Sequence, residues 1–139
     1  MVTKIAKEDS KQLSAESGGQ RTLRTFHGTF LSAPDVGNSV DQAKVAQTWE
    51  HWHVEDCGGK VAFKAIHSPD RFICANPDGH VGLTFGHPDT WEQWVPRKHS
   101  DGSWSFRGFH GRWLSAKKDG SMTTVDKCDA WERFWLGQW

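Results

Sequence analysis

The sequence has no net charge to work with: 17 lysines and arginines stand against 17 aspartates and glutamates. That balance excludes a global field that would hold the protein on nucleic acid or an anionic membrane, so any charged partner has to meet a local patch. Cysteine is scarce as well. Cys57, Cys74 and Cys128 are odd in number and lack CxxC spacing, which fits reduced thiols in a cytosol better than a disulfide framework. The chain opens on no apolar run followed by a small-residue cleavage site, and no segment approaches the length of a bilayer span. An intracellular protein without integral membrane association is expected. Val2 stands where N-myristoylation requires glycine, so that anchor is not expected either. Signatures of the GxxxxGK[ST], HExxH and GxSxG kinds, and Gly-rich dinucleotide loops, are all missing. Neither enzyme activity nor a cofactor is expected from them.

What the 139 residues do contain is a repeat. Leu23 to Ala33 (LRTFHGTFLSA), Phe63 to Ala75 (FKAIHSPDRFICA) and Phe106 to Ala116 (FRGFHGRWLSA) share one order: apolar, basic, small, apolar, His, turn, aromatic, aliphatic, Ser or Cys, Ala. A second marker follows each: Trp49-Glu50-His51-Trp52, Trp91-Glu92-Gln93-Trp94 and Trp131-Glu132-Arg133-Phe134. Both markers keep a period of about forty residues, and two independent markers do not share a period by chance. The units run over about 21–59, 60–102 and 103–139. Ahead of them, residues 1–20 are polar and carry too little apolar surface to offset the entropy of ordering them. A flexible arm is expected there; a short helix around Ile5 to Leu13 is compatible with the residues but marginal by itself.

Within a unit the signals are short strands. Lys60 to Ile66 and Ser103 to Phe109 alternate apolar and polar residues, each after a Gly-Gly or Asp-Gly turn. Asn76-Pro77-Asp78-Gly79 and Lys117-Lys118-Asp119-Gly120 are further turns. This predicts about four strands per unit and about twelve in all, with no rival helical period over the repeats. A three-bladed propeller falls below the usual blade number. An all-β fold closed into one barrel with a hairpin cap, a β-trefoil, is the compact solution that remains, because no unit can bury its apolar face alone.

Val54-Glu55-Asp56-Cys57-Gly58-Gly59-Lys60-Val61-Ala62-Phe63-Lys64 followed by Arg71-Phe72-Ile73-Cys74-Ala75 resembles a fascin-type β-trefoil unit, and the His-turn-aromatic-Leu-Ser-Ala element resembles hisactophilin. The resemblance covers residues 21–139. It implies a cytoplasmic, cytoskeleton-associated module that binds or cross-links actin filaments, with pH sensitivity of the hisactophilin kind.

Read as a strand, the second marker puts Glu50, Trp52 and Val54 on one face, and Trp49, His51 and His53 on the other. Trp52, Trp94 and Phe134 are therefore expected in the core. Trp49, Trp91 and Trp131 either pack under the preceding loop or stand exposed. Glu50, Glu92 and Glu132 are expected to accept backbone hydrogen bonds at the strand start, since a ring of three equals does not make a catalytic pair. His51, His53 and Cys57 form the one metal-like grouping, but the further ligands lack a spacing, and solvent-facing histidines are the expectation. No metal site is expected. For partner contact the candidates are Arg24, Lys64 and Arg107, at equivalent strand positions, with Arg112, Lys117 and Lys118 adding charge to the third unit alone. A surface that binds with one face needs such asymmetry. His27, His67 and His110 precede the first turn of each unit and are candidates for pH sensing. If they share a ring with the basic residues, acidification adds like charge, weakening the fold and strengthening contact with an acidic filament. The rival reading is a lectin-like trefoil whose repeated pockets bind carbohydrate; a scaffold for an unrelated protein is the third.

Overall fold

The computed structural model describes residues 4–67 and 71–139; Val2 and the turn at 68–70 lie outside them. Twelve strands follow one another, four to a repeat: β1 Gln20–Arg24, β2 Phe30–Ser32, β3 Asp41–Ala43 and β4 Trp52–Asp56; β5 Val61–Ala65, β6 Arg71–Ala75, β7 Val81–Phe85 and β8 Val95–Lys98; β9 Trp104–Arg107, β10 Trp113–Ala116, β11 Met122–Val125 and β12 Trp135–Gly137. The first and fourth strands of each repeat pair antiparallel, through Arg21 and Trp52, Val61 and Trp94, and Trp104 and Phe134. Hairpins β4–β5 and β8–β9, together with the β12–β1 ladder, join neighbouring repeats and close a six-stranded barrel.

The second and third strands of each repeat form the cap hairpins β2–β3, β6–β7 and β10–β11. These tie to one another around the pseudo-threefold: Gln42 N–H donates to Gly120 O, Leu83 N–H to Asn38 O and Thr124 N–H to Gly79 O. Barrel plus triangular cap is the β-trefoil that the repeat predicts. Its core repeats in the same order, with Leu23, Phe63 and Phe106, then Leu31, Ile73 and Leu114, then Trp52, Trp94 and Phe134, all fully buried. Phe63 meets Phe106 edge-on at a centroid distance of 4.9 Å, a favoured aromatic geometry.

Two expectations need correction. The Trp-Glu part of the second marker is not strand. Thr48–Glu50, Thr90–Glu92 and Ala130–Glu132 are single 3-10 turns, and extended backbone resumes at the next residue. The physical reason is a reciprocal cap, in which each glutamate reaches back to the N–H of Gln47, Asp89 or Asp129 three residues earlier.

The expected flexible arm is also not what the described residues show. Lys4–Ala15 is a helix, α1, followed by a 3-10 turn at Glu16–Gly19. It lies against β4, β5 and β8 at the barrel end away from the cap, where Leu13 enters the core cluster with no exposed surface. Ser10 Oγ donates to Asp56 Oδ1 at 2.8 Å and accepts the N–H of Gly59 at 3.0 Å. Gly19, at φ +79°, turns the chain from helix into β1, and a Cβ there would stand 2.9 Å from Val54 O. Composition alone predicted disorder; docking on the barrel supplies the burial that an isolated helix lacks.

Candidate functional site

The Trp-Glu turns organise the surface of the trefoil three times over. In the first repeat Glu50 is buried, with Oε1 accepting Gln47 N–H at 2.8 Å and Oε2 accepting Ser32 Oγ–H at 2.5 Å. Glu132 repeats this with Asp129 N–H at 2.7 Å and Ser115 Oγ–H at 2.5 Å. Glu92 accepts Asp89 N–H at 2.9 Å, and Cys74 takes the place of the serine. Burial, followed by the hydrogen bond and charge of Glu92, pushes the Cys74 thiol up to about 12. The three carboxylates thus serve the turns, as the sequence predicts, with both oxygens of Glu50 and Glu132 occupied.

With its glutamate tucked inward, each turn leaves its tryptophan at the surface. Trp49, Trp91 and Trp131 are 42%, 38% and 39% exposed. Each packs against the first-marker histidine of the next repeat: Trp131 and His27 at 5.1 Å, Trp49 and His67 at 6.0 Å, Trp91 and His110 at 5.3 Å. Each ring is partly exposed, as one of the two expectations had it, and the packing seen is against the next repeat's histidine rather than the loop named in the other. The same imidazoles cross to a neighbouring repeat by hydrogen bonding. His27 Nε2 lies 2.8 Å from Ala116 O and His110 Nε2 lies 3.0 Å from Ala75 O, so in both the Nε2–H donates to a carbonyl. His67 departs from the pattern, with Nε2 at 3.1 Å from Asp35 Oδ1 and 3.4 Å from an Arg71 nitrogen. Buried Arg71 in turn donates to Pro34 O and Gly37 O, fixing the β2–β3 connection. The three histidines occupy three separate seams, each with partners of its own.

The basic residues are equally engaged. Arg24 lies over the Trp135 ring at 5.3 Å, Arg107 over Trp113 at 5.7 Å, and Lys64 stands 3.9 Å from Glu55. Arg97 reaches the same Trp113 ring at 5.9 Å, a second guanidinium stacking that the repeat pattern does not reveal because β8 and β10 are distant in sequence. In the third repeat Arg112 turns toward Asp126 at 3.8 Å, while Lys117 and Lys118 are exposed on the β10–β11 turn. Their main chain carries the turn: Lys117 N–H donates to Ser121 O, and Lys117 O accepts from Gly120 N–H and from Gln42 Nε2. Their side chains are left to solvent.

Beneath two of the exposed tryptophans lie equivalent open grooves. One, about 750 Å³, is bounded by Trp131, Val125, Lys117, Lys127, Asp126 and Asp129. Its counterpart in the first repeat, about 530 Å³, is bounded by Trp49, Ala43, Val45, Asp41, Gln42 and Gln47. The metal-like grouping comes apart by comparison. His51 stacks flat on Trp139 at 4.6 Å, Cys57 sits in the β4–β5 turn, and among the described residues no three His, Cys, Asp or Glu side chains converge.

One partly buried polar set was not foreseen. His99 Nε2 is 2.7 Å from Ser105 Oγ, which donates to Glu132 O and accepts the Cys128 thiol. Burial, reinforced by Arg133 and Arg97, holds His99 below the usual histidine range. A lowered folded value means that the unfolded chain binds more protons, so stability is expected to fall as pH drops through about 6.5 and to level off below the folded value. Urea denaturation of the wild type and His99→Gln across that window checks it. The variant should show a shallower pH slope.

No protein-family model matches the chain, and no curated protein matches it. Among solved structures, hisactophilin is 27% identical, with 87% of this chain and 99% of that one covered and a TM-score of 0.72. The designed threefold-symmetric protein ThreeFoil is 18% identical over 87% and 99%, at 0.77. The GlcNAcα1-4Gal-releasing endo-β-galactosidase of Clostridium perfringens is 14% identical over 86% of this chain and 32% of its own, at 0.76. Barrel, cap and neighbours agree, and the fold is an all-β trefoil similar to that of hisactophilin.

Proposed function

We propose that this chain is a non-enzymatic cytosolic module that binds actin filaments through the β10–β11 turn of its third repeat. The observation that carries the reading is the 27% identity to hisactophilin along nearly the whole of both chains, against 18% and 14% for the other two neighbours. The actin association that the hisactophilin resemblance implies then needs a surface. The third-repeat turn supplies one by breaking the threefold, since Lys117 and Lys118 stand where the first repeat has Pro34 and Asp35 and the second has Asn76 and Pro77. Two exposed ammonium groups on a rigid hairpin suit an acidic filament surface. Arg112, Arg24, Lys64 and Arg107 are held by intramolecular partners and contribute less.

The pH-sensitive part of the reading rests on the place of His27 and His110, whose Nε2 atoms bond across seams between repeats to Ala116 O, next to Lys117, and to Ala75 O.

Cosedimentation with filamentous actin tests the proposal. Reversing Lys117 and Lys118 to glutamate together should abolish pelleting while the melting temperature holds, because only solvent-facing side chains change. Wild-type pelleting should weaken steeply with salt, since exposed charges are screened over about 8 Å at physiological ionic strength. Undiminished pelleting of the folded double variant removes this turn from the interface, and no pelleting of the wild type removes actin.

A further inference from the structure

We propose that the grooves beneath Trp131 and Trp49 are two saccharide-binding subsites, an activity separate from filament binding. The first argument is shape. Each groove is open and shallow, and each is bounded by an indole that the neighbouring repeat holds in place. Trp131 is backed by His27 at 5.1 Å and Trp49 by His67 at 6.0 Å, so the exposed part of each ring is a fixed platform. An amphipathic ring that keeps an apolar body and little conformational freedom is the side chain that stacks best on the C–H face of a pyranose.

The second argument is the chemistry around the platform. In the third repeat Lys117 and Lys127 donate, Asp126 and Asp129 accept, and Thr123 does both. Buried Glu132 lines the groove as well, so a phosphate or acidic peptide would meet three carboxylates, and a cation would meet two ammonium groups. A neutral polyol, which needs donors and acceptors together beside an apolar surface, meets no such conflict. The first-repeat groove offers Asp41, Gln47 and Thr48 in the same frame with a single exposed charge, the Gln42 amide being taken up by Thr29, Lys117 and Ser121, so it suits the same class of ligand with a different hydroxyl pattern.

The third argument is the relation between the two. Gln42 borders the first-repeat groove and donates through Nε2 to Lys117 O and Ser121 O at 2.9 Å each; Lys117 borders the third-repeat groove. The subsites are therefore adjacent across one seam, and a glycan with two suitable residues can engage both, gaining by effective concentration what a single shallow site lacks.

The test follows the indole N–H resonances of the full chain by NMR while methyl β-galactopyranoside, methyl α-mannopyranoside and the methyl β-glycoside of N-acetylglucosamine are added separately. The expected result is saturable shifts at Trp131 and Trp49, with millimolar affinity, for at least one of the three probes, unchanged by added salt. Trp131→Ala should weaken binding at the third-repeat groove by about tenfold and leave the Trp49 response in place, while Trp131→Phe, which restores a platform, should recover most of it. The Lys117/Lys118 reversal changes a lining residue of the third-repeat groove and none of the Trp49 groove, so a Trp49 response that survives while actin pelleting is lost tells the two activities apart. Absence of saturable shifts at both indoles with all three probes, or shifts spread equally over the buried Trp52 and Trp94, overturns the proposal.

Discussion

Replacing Trp52 with alanine is expected to lower stability by about 3–5 kcal/mol, the range for deleting a buried large aromatic, and so to remove a large share of what holds a domain of this size. Trp52 has no exposed surface, and its Nε1–H donates to Leu31 O at 3.0 Å, joining the barrel to the first cap hairpin. Trp94 repeats the arrangement with Ile73 O at 3.1 Å. In the third repeat Phe134 fills the position without any N–H, which shows that the pocket accepts a phenyl ring and that the indole donor is an addition to the packing. Trp52→Phe should therefore cost much less than Trp52→Ala, about 1–3 kcal/mol, the penalty for leaving the buried Leu31 carbonyl unpaired plus a small void. Urea denaturation of the two variants beside the wild type measures both. An alanine variant within about 1 kcal/mol of the wild type would mean that the barrel and cap are not coupled through this ring.

The parts of this structure that were readable in the sequence are those written three times. Leu23, Phe63 and Phe106 mark the first barrel strand of each repeat, Trp52, Trp94 and Phe134 the fourth, and their common period is enough to predict the trefoil. The buried glutamates were readable for the same reason. What escaped was set by contacts between segments remote in sequence. The His and Trp residues of the two markers are visible, but that His27 packs on Trp131 and bonds to Ala116 follows only from the closure of the third repeat against the first. The grooves are shaped by those seams. One miss had a local signal: Asp89-Thr90-Trp91-Glu92 and Asp129-Ala130-Trp131-Glu132 carry an acidic residue and a glutamate at capping spacing, a turn signature rather than a strand start. The N-terminal helix had only a weak one, because its twelve residues are mostly polar; among its described side chains Leu13 is the one in the core cluster.

That leucine gives the second large effect. Leu13→Ala is expected to cost about 2–5 kcal/mol, and removal of residues 1–15 at least as much, because both withdraw a fully buried side chain from the barrel end. The helix has no independent reason to persist. Twelve residues are marginal in water, so its order is inseparable from the surface it covers on β4, β5 and β8. Ser10 adds a polar clamp between Asp56 and Gly59 at the turn of the β4–β5 hairpin, and Lys98 Nζ reaches Gln12 Oε1 at 3.5 Å from the end of β8. Withdrawing the helix strips these contacts and exposes the core residues that Leu13 covers, so the truncated chain should also bind a dye that reports apolar surface. A substitution on the exposed face, such as Glu8→Gln, should leave the denaturation midpoint unchanged. If Leu13→Ala and the truncation both leave the midpoint where the wild type has it, the helix is not part of the folded barrel. If both lower it and Glu8→Gln does not, the trefoil of this chain is completed by a segment outside its repeats, and the barrel end opposite the cap is closed by a helix.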